Sequence, residues 1–134
     1  MKAVLANYRQ SPRKVRLVAG LIKGKQTSSA DAELSFLAKR AAEPIRKLLA
    51  SAIANAKQNF SVKEELLYVK DVRVDKGVTM KRSQPRSHGM ATRINKRASH
   101  VLIELEERAP KEKSRSVSAS KKVSKKLEEP TSEK

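Results

Sequence analysis

The strongest hydrophobic period in the chain lies between residues 45 and 56, where Ile45, Leu48, Leu49, Ala52, Ile53 and Ala56 recur at steps of three and four. That spacing gathers them on one helical face, and the stripe is expected to supply most of the core. Several members are alanine, so neighbouring elements can approach closely. Upstream, Val15, Val18, Leu21 and Ile22 fall on one face behind Ser11 and Pro12. A serine hydroxyl can accept from an orphan amide and proline suits the first helical position, so a helix is predicted from there to a cap at Gly24. Between these two, a helix is predicted from Ser28, with Asp31 placed for a capping-box contact, through Leu34, Leu37, Ala38 and Ala41. Pro44 should break it or restart it.

Alternation replaces the helical period elsewhere. Residues 2–9 suggest a short strand with Val4, Ala6 and Tyr8 on one face. Leu67 and Val69 alternate, and Val72 and Val74 continue in the opposite phase, which predicts a β-bulge near Lys70 and Asp71. Val101, Ile103 and Leu105 mark a later strand. Between the two lies DKGVTMKRSQPRSHGMATR, residues 75–93, whose only sizeable apolar side chains are Val78, Met80 and Met90. Strand-like sequence enters and leaves this segment, so it reads as a hairpin whose arms run beyond the core, with Pro85 and Gly89 near the tip. About ten residues per arm at roughly 3.3 Å each give a projection on the order of 30 Å. A two-stranded ribbon is marginal by itself in water, so another surface must hold it.

Length and composition turn this outline into a functional expectation. The 134 residues suit one compact domain, placed at 1–108. Residues 109–134 hold six Ser and seven Lys with almost no large apolar side chain, and read as a disordered tail in which 121–129 forms at most a transient helix. Lys and Arg total 31 against 14 Asp and Glu, a formal charge of +17. Residues 1–30 contain seven basic and no acidic side chains, and residues 76–103 repeat that count. The rest of the domain is close to neutral, so the excess sits in two acid-free blocks that read as polyanion contacts. Arg13, Lys14 and Arg16 open the first helix, where exposed cations oppose the macrodipole by roughly 0.3–1 kcal/mol each. Together with the free amides of that helix end they would hold a phosphate.

Other chemistries drop out. Tyr8, Tyr68, Phe36 and Phe60 are the only aromatic residues, too few for a base-stacking platform, so nucleic acid would be read through backbone and shape. The chain has no cysteine. Its two histidines, His88 and His100, lack metal-ligand spacing, and no cofactor is expected. No nucleophile elbow, P-loop or carboxylate pair stands out, so an enzyme is not expected. The N-terminal segment is too short in apolar residues for a signal peptide or a membrane span, and a soluble protein is expected. Asn55, Gln58 and Asn59, near the end of the third helix, are expected to cap it rather than to contact RNA.

Three segments carry a family resemblance: SPRKVRLVAGLIKGK at 11–25, SAIANAKQN at 51–59 and VRVDKGVTMKRSQPRSHGMATRINKRASH at 72–100. In this order and spacing they closely resemble the bacterial ribosomal protein twenty-two family of the large subunit, over roughly residues 3–106. The resemblance implies an α+β fold, a small antiparallel three-stranded sheet packed on three helices with a long extended β-hairpin. It also implies a structural constituent of the cytoplasmic large ribosomal subunit that binds large-subunit rRNA and supports assembly. Its partners would include neighbouring ribosomal proteins and the nascent polypeptide, with no membrane and no homo-oligomer. Carried over by position, the rRNA-binding residues would be Arg9, Arg13, Lys14, Arg16, Lys23, Lys25, Lys76, Lys81, Arg82, Arg86, Arg93, Lys96 and Arg97. The hairpin tip, Gln84, Pro85, Arg86, Ser87, His88, Gly89 and Met90, would line the nascent-peptide exit tunnel. Gln84, His88 and Met90 depart from the family pattern there. The competing reading is an architectural DNA-binding protein whose basic β-ribbon enters the minor groove.

Overall fold

The computed structural model describes residues 1–108; the tail and its transient helix lie outside the described residues. The element order is β1 (Lys2–Tyr8), α1 (Pro12–Ile22), α2 (Thr27–Phe36), α3 (Ala42–Phe60), β2 (Leu67–Pro85) and β3 (Ala91–Glu107). Short 3₁₀ turns occupy Glu64–Leu66 and Ser87–Gly89. The three strands form one antiparallel sheet in the order β1-β3-β2. This is the expected α+β architecture.

The core forms where the patterns predict it. Ile45, Leu49, Ala52 and Ala56 of α3 are completely buried, as are Val15 and Ile22 of α1 and Leu67, Val69, Val101 and Ile103 of the sheet. The bulge falls between Val69 and Asp71, and past it Val72 and Val74 lie opposite Ile103 and Val101. The extra residue resets the phase of β2, so both halves of the strand address the same core.

Several expectations need correction. In β1 the inward residues are Ala3 and Leu5, whereas Val4 is 62% exposed. Asn7 then adopts φ 55° and breaks the register between Leu5 and Tyr8, which turns Tyr8 back toward the body. Asparagine tolerates this left-handed backbone better than most residues. In α1, Ala19 takes the buried place expected for Leu21, which is 45% exposed. Ser11 makes no side-chain cap; its backbone carbonyl accepts from Lys14 and Val15. The helix stops at Ile22, and Gly24 follows at φ +79° with its amide donating to Val69 O at 2.8 Å.

The second helix begins at Thr27 and ends at Phe36, short of Leu37, Ala38 and Ala41. Its start is fixed from outside: Gln26 Nε2 donates to Glu65 O and Thr27 Oγ1 to Glu64 O. Asp31 pairs with Arg46 of α3 instead of closing a capping box. Only Thr27, Ala30 and Leu34 of α2 are buried, and a segment rich in Ser, Thr and Asp gains little from helix formation once that face ends. Pro44 does not interrupt a helix; it sits in the first turn of α3, where its missing N–H would have had no intrahelical partner. Ser61, at φ 53°, closes α3 by donating its amide to Lys57 O, a capping role expected of Asn55, Gln58 or Asn59. Asn55 Nδ2 instead approaches Lys2 O of β1 at 3.5 Å.

Truncating the centre of this core should be severe. Leu49→Ala is expected to lower unfolding free energy by about 2–5 kcal/mol in urea titration, since neighbouring helices cannot collapse into the vacated space. A loss below about 0.5 kcal/mol, typical of a surface position, would contradict the packing described.

Candidate nucleic-acid interface

The hairpin is a continuous two-stranded ladder from Lys76 opposite Ser99 to Pro85 opposite Ala91, interrupted by one bulge between Lys76 and Thr79. Residues directly opposite in an antiparallel pair project to the same face. One face therefore carries Lys81, Arg93 and Arg97 among Thr79, Ser83 and Asn95. The other carries Arg82 and Lys96 beside Met80, Ile94, Gln84 and Thr92. Every residue from Lys81 to Arg97 is exposed, and no ion pair reaches any of these cations among the described residues. The ribbon is positive on both faces.

At the tip, Arg86 N donates to Met90 O at 2.7 Å and closes a turn through Ser87, His88 and Gly89. His88 and Gly89 both adopt positive φ, 56° and 67°. Gln84, Pro85, Arg86, Ser87, His88, Gly89 and Met90 are all exposed.

The root of the ribbon is tied down by side chains that the sequence did not single out for this purpose. Arg16 reaches from α1 to Val74 O through Nε at 3.1 Å and Nη2 at 2.8 Å. His100 Nδ1 accepts the amide of Asn7 at 3.2 Å, joining β1 to β3 where the ribbon departs. Gly77 lies so close to β3 that a Cβ there would stand 3.1 Å from His100 Nε2 and 3.2 Å from the carbonyl carbon of Ala98. A side chain at the second bulge would be crowded, and its neighbours would have to give by a few tenths of an ångström. Arg16, expected on a phosphate, directs two of its nitrogens to this joint.

The remaining sequence candidates divide. Arg9, Arg13 and Lys14 are exposed at the start of α1. Lys23 pairs with Asp71 at 2.8 Å and Lys25 with Glu33, so both already face a carboxylate. The Lys23 ammonium holds the Asp71 carboxyl below the usual carboxylate range. Two further cations were missed: Lys39 and Arg40, in the turn between α2 and α3, line a groove of about 400 Å³ together with Lys14 of α1. Their signal was an adjacent Lys-Arg pair, hidden because the middle of the chain sums to near neutrality.

The acidic residues gather elsewhere. Asp31–Arg46, Glu43–Lys47 and Glu64–Lys57 pair across or along α2, α3 and the following turn, each at 2.7–2.8 Å. They border a depression of about 830 Å³ that is lined by both signs. No group of three or more His, Asp or Glu residues suited to a metal occurs among the described residues, and no described helix is long and apolar enough to cross a membrane.

The fold is that of a basic α+β protein whose small body bears a ribbon cationic on both faces. Residues 3–106 match the family model described as Ribosomal protein L22p/L17e, and the chain belongs to that family. It is similar to the large ribosomal subunit protein uL22 of Desulfitobacterium hafniense strain Y51, 47% identical over 107 residues that cover 80% of this chain and 94% of that one. The corresponding protein of Mycoplasma capricolum is 54% identical over 102 residues, 76% of this chain and 92% of the relative. That of Rubrobacter xylanophilus is 50% identical over 105 residues, 78% and 83% respectively. Family membership makes the chain a structural constituent of the large subunit of the cytoplasmic ribosome.

Two measurements check this geometry. Because the native Asp71 carboxyl titrates below its unfolded value, its contribution to stability is present above the unfolded pKa of about 3.9 and disappears as pH falls through the lower native value. Asp71→Asn should therefore be less stable than wild type at pH 7 and indistinguishable from it at strongly acid pH in urea titrations. In the isolated protein, hydrogen exchange should be fast across residues 78–92 and slow in α3; protected ribbon amides without RNA would contradict an unsupported ribbon.

Proposed function

We propose that the protein binds large-subunit rRNA chiefly through phosphates and acts as a non-catalytic crosslinker of RNA segments during and after subunit assembly. The body docks through the start of α1, and the ribbon passes between RNA walls. The observation that carries this reading is the placement of Lys81, Arg93 and Arg97 on one ribbon face and Arg82 and Lys96 on the other. A single flat partner would leave one set facing solvent. Insertion between two phosphate-lined walls neutralises both.

Within that arrangement, Gln84 to Met90 reach furthest from the body and form part of the wall of the nascent-peptide exit tunnel. The exposed tip has a polar, weakly charged composition, which suits a passage that must not retain a moving polypeptide. Other ribosomal proteins and the nascent chain are the remaining partners. A DNA-bending role is disfavoured by the family and by the contribution of α1, which a minor-groove ribbon does not require.

Binding of the full chain to large-subunit rRNA should weaken steeply with salt, with a slope in log–log form of about −0.7 to −0.9 per phosphate contacted. Arg93→Gln should reduce that slope by about one contact. A flat salt dependence would overturn the proposal, as would failure of the protein to cosediment with large subunits at physiological salt.

A further inference from the structure

The groove between α1 and the α2–α3 turn has a composition that phosphate binding alone does not explain. Its rim holds Lys14, Lys39 and Arg40, and its walls are Leu17, Leu21 and Leu37. No acidic residue lines it, and none of the three cations has an ion-pair partner among the described residues. Leu17 is 71% exposed and Leu21 45% exposed. These side chains face outward beside three cations when a purely electrostatic surface would place polar residues there. Gln10 also lines the groove, and its carboxamide oxygen is buried without a hydrogen-bond donor.

We propose that this groove takes one unstacked nucleotide of the RNA: the base enters between Leu17, Leu21 and Leu37, and its flanking phosphates rest on Lys14, Lys39 and Arg40. The inference rests on the rRNA-binding reading and adds to it a contact with a base. The volume, about 400 Å³, falls within the roughly 300–1,000 Å³ of pockets that enclose small organic ligands, and matches one nucleotide better than a helix. A nucleotide also joins a flat, largely apolar body to a negative charge a few ångströms away, which is the pairing that the walls and rim present. Contact with splayed-out bases is a common mode of RNA recognition, usually on aromatic faces. Here aliphatic side chains would serve, which accounts for its invisibility in a chain so poor in aromatic residues.

Two kinds of variant separate the parts of the contact. Lys39→Gln should lower the salt slope of large-subunit rRNA binding by about one contact. The double variant Leu17→Ala, Leu21→Ala should weaken binding about tenfold with the salt slope unchanged, because it removes apolar contact and no charge. Replacement of both leucines by methionine should restore affinity to within about twofold, and a thermal melt equal to wild type shows that the alanine variant is folded. On the rRNA itself, base-specific methylation and carbodiimide probing should find one base protected by wild type and exposed with the alanine variant, while the hydroxyl-radical footprint of the backbone stays the same. Unchanged affinity and unchanged base reactivity in the folded alanine variant would overturn the nucleotide site. If that variant binds rRNA normally but fails to enter subunits with their full protein complement, the groove holds a protein and the proposal is equally overturned. Salt-independent binding by wild type would instead defeat the broader rRNA reading, a result these leucine variants cannot produce.

Discussion

A ribbon without a core depends on its root. Beyond Thr79 the two strands hold each other through the backbone ladder and a single side-chain bond, Thr92 Oγ1 to Gln84 O, and such a pair is marginal in water. What fixes its direction is the joint formed by Arg16 on the Val74 carbonyl, His100 on the Asn7 amide, and the close passage of Gly77 against Ala98 and His100. Each ties the ribbon to a different neighbour, respectively α1, β1 and its own partner strand. Loss of this joint would leave the cations in place along the chain but aimed nowhere, and a crosslinker of RNA needs its arm aimed.

The same joint relates the ribbon to the body surface. Arg16 is one turn from Arg13 and Lys14, so the helix that anchors the ribbon also presents the exposed cations at its N-terminus. On the α2–α3 side Asp31, Glu43 and Glu64 pair with Arg46, Lys47 and Lys57, and on the sheet Asp71 pairs with Lys23 and Glu106 with Lys70. Exposed pairs of this kind add little stability. The ribbon arms from residue 76 to 103 carry no acidic residue, whereas the body mixes both signs. The face with balanced charge is the one suited to stay outside the polyanion.

Much of this could be read before any coordinates. The stripe from Ile45 to Ala56, the phase change around Lys70, and the lack of any burial face between 75 and 93 announced the long helix, the bulge and the ribbon. Each rests on a periodicity local enough that neighbouring residues suffice to express it. Misreadings arose where a partner distant in the chain decided the outcome. Asp31 left its expected cap for Arg46, and Thr27 began α2 one residue early because the Glu64 carbonyl accepts its hydroxyl. Lys23 and Lys25 met carboxylates, at Asp71 and Glu33, that the charge blocks could not reveal.

The amino-acid order alone thus determined the element types, the two acid-free blocks and, through three matching segments, the family. Tertiary structure decided which cations remain unpaired, that Lys14 meets Lys39 and Arg40, and that Leu17 and Leu21 stand outside the core. The reason is range. Hydrophobic period and charge density act over a few residues and survive in a string of letters, whereas contacts such as Lys23 with Asp71 or the groove of Lys14, Lys39 and Arg40 bring residues tens of positions apart within a few ångströms, which only the packed chain brings about.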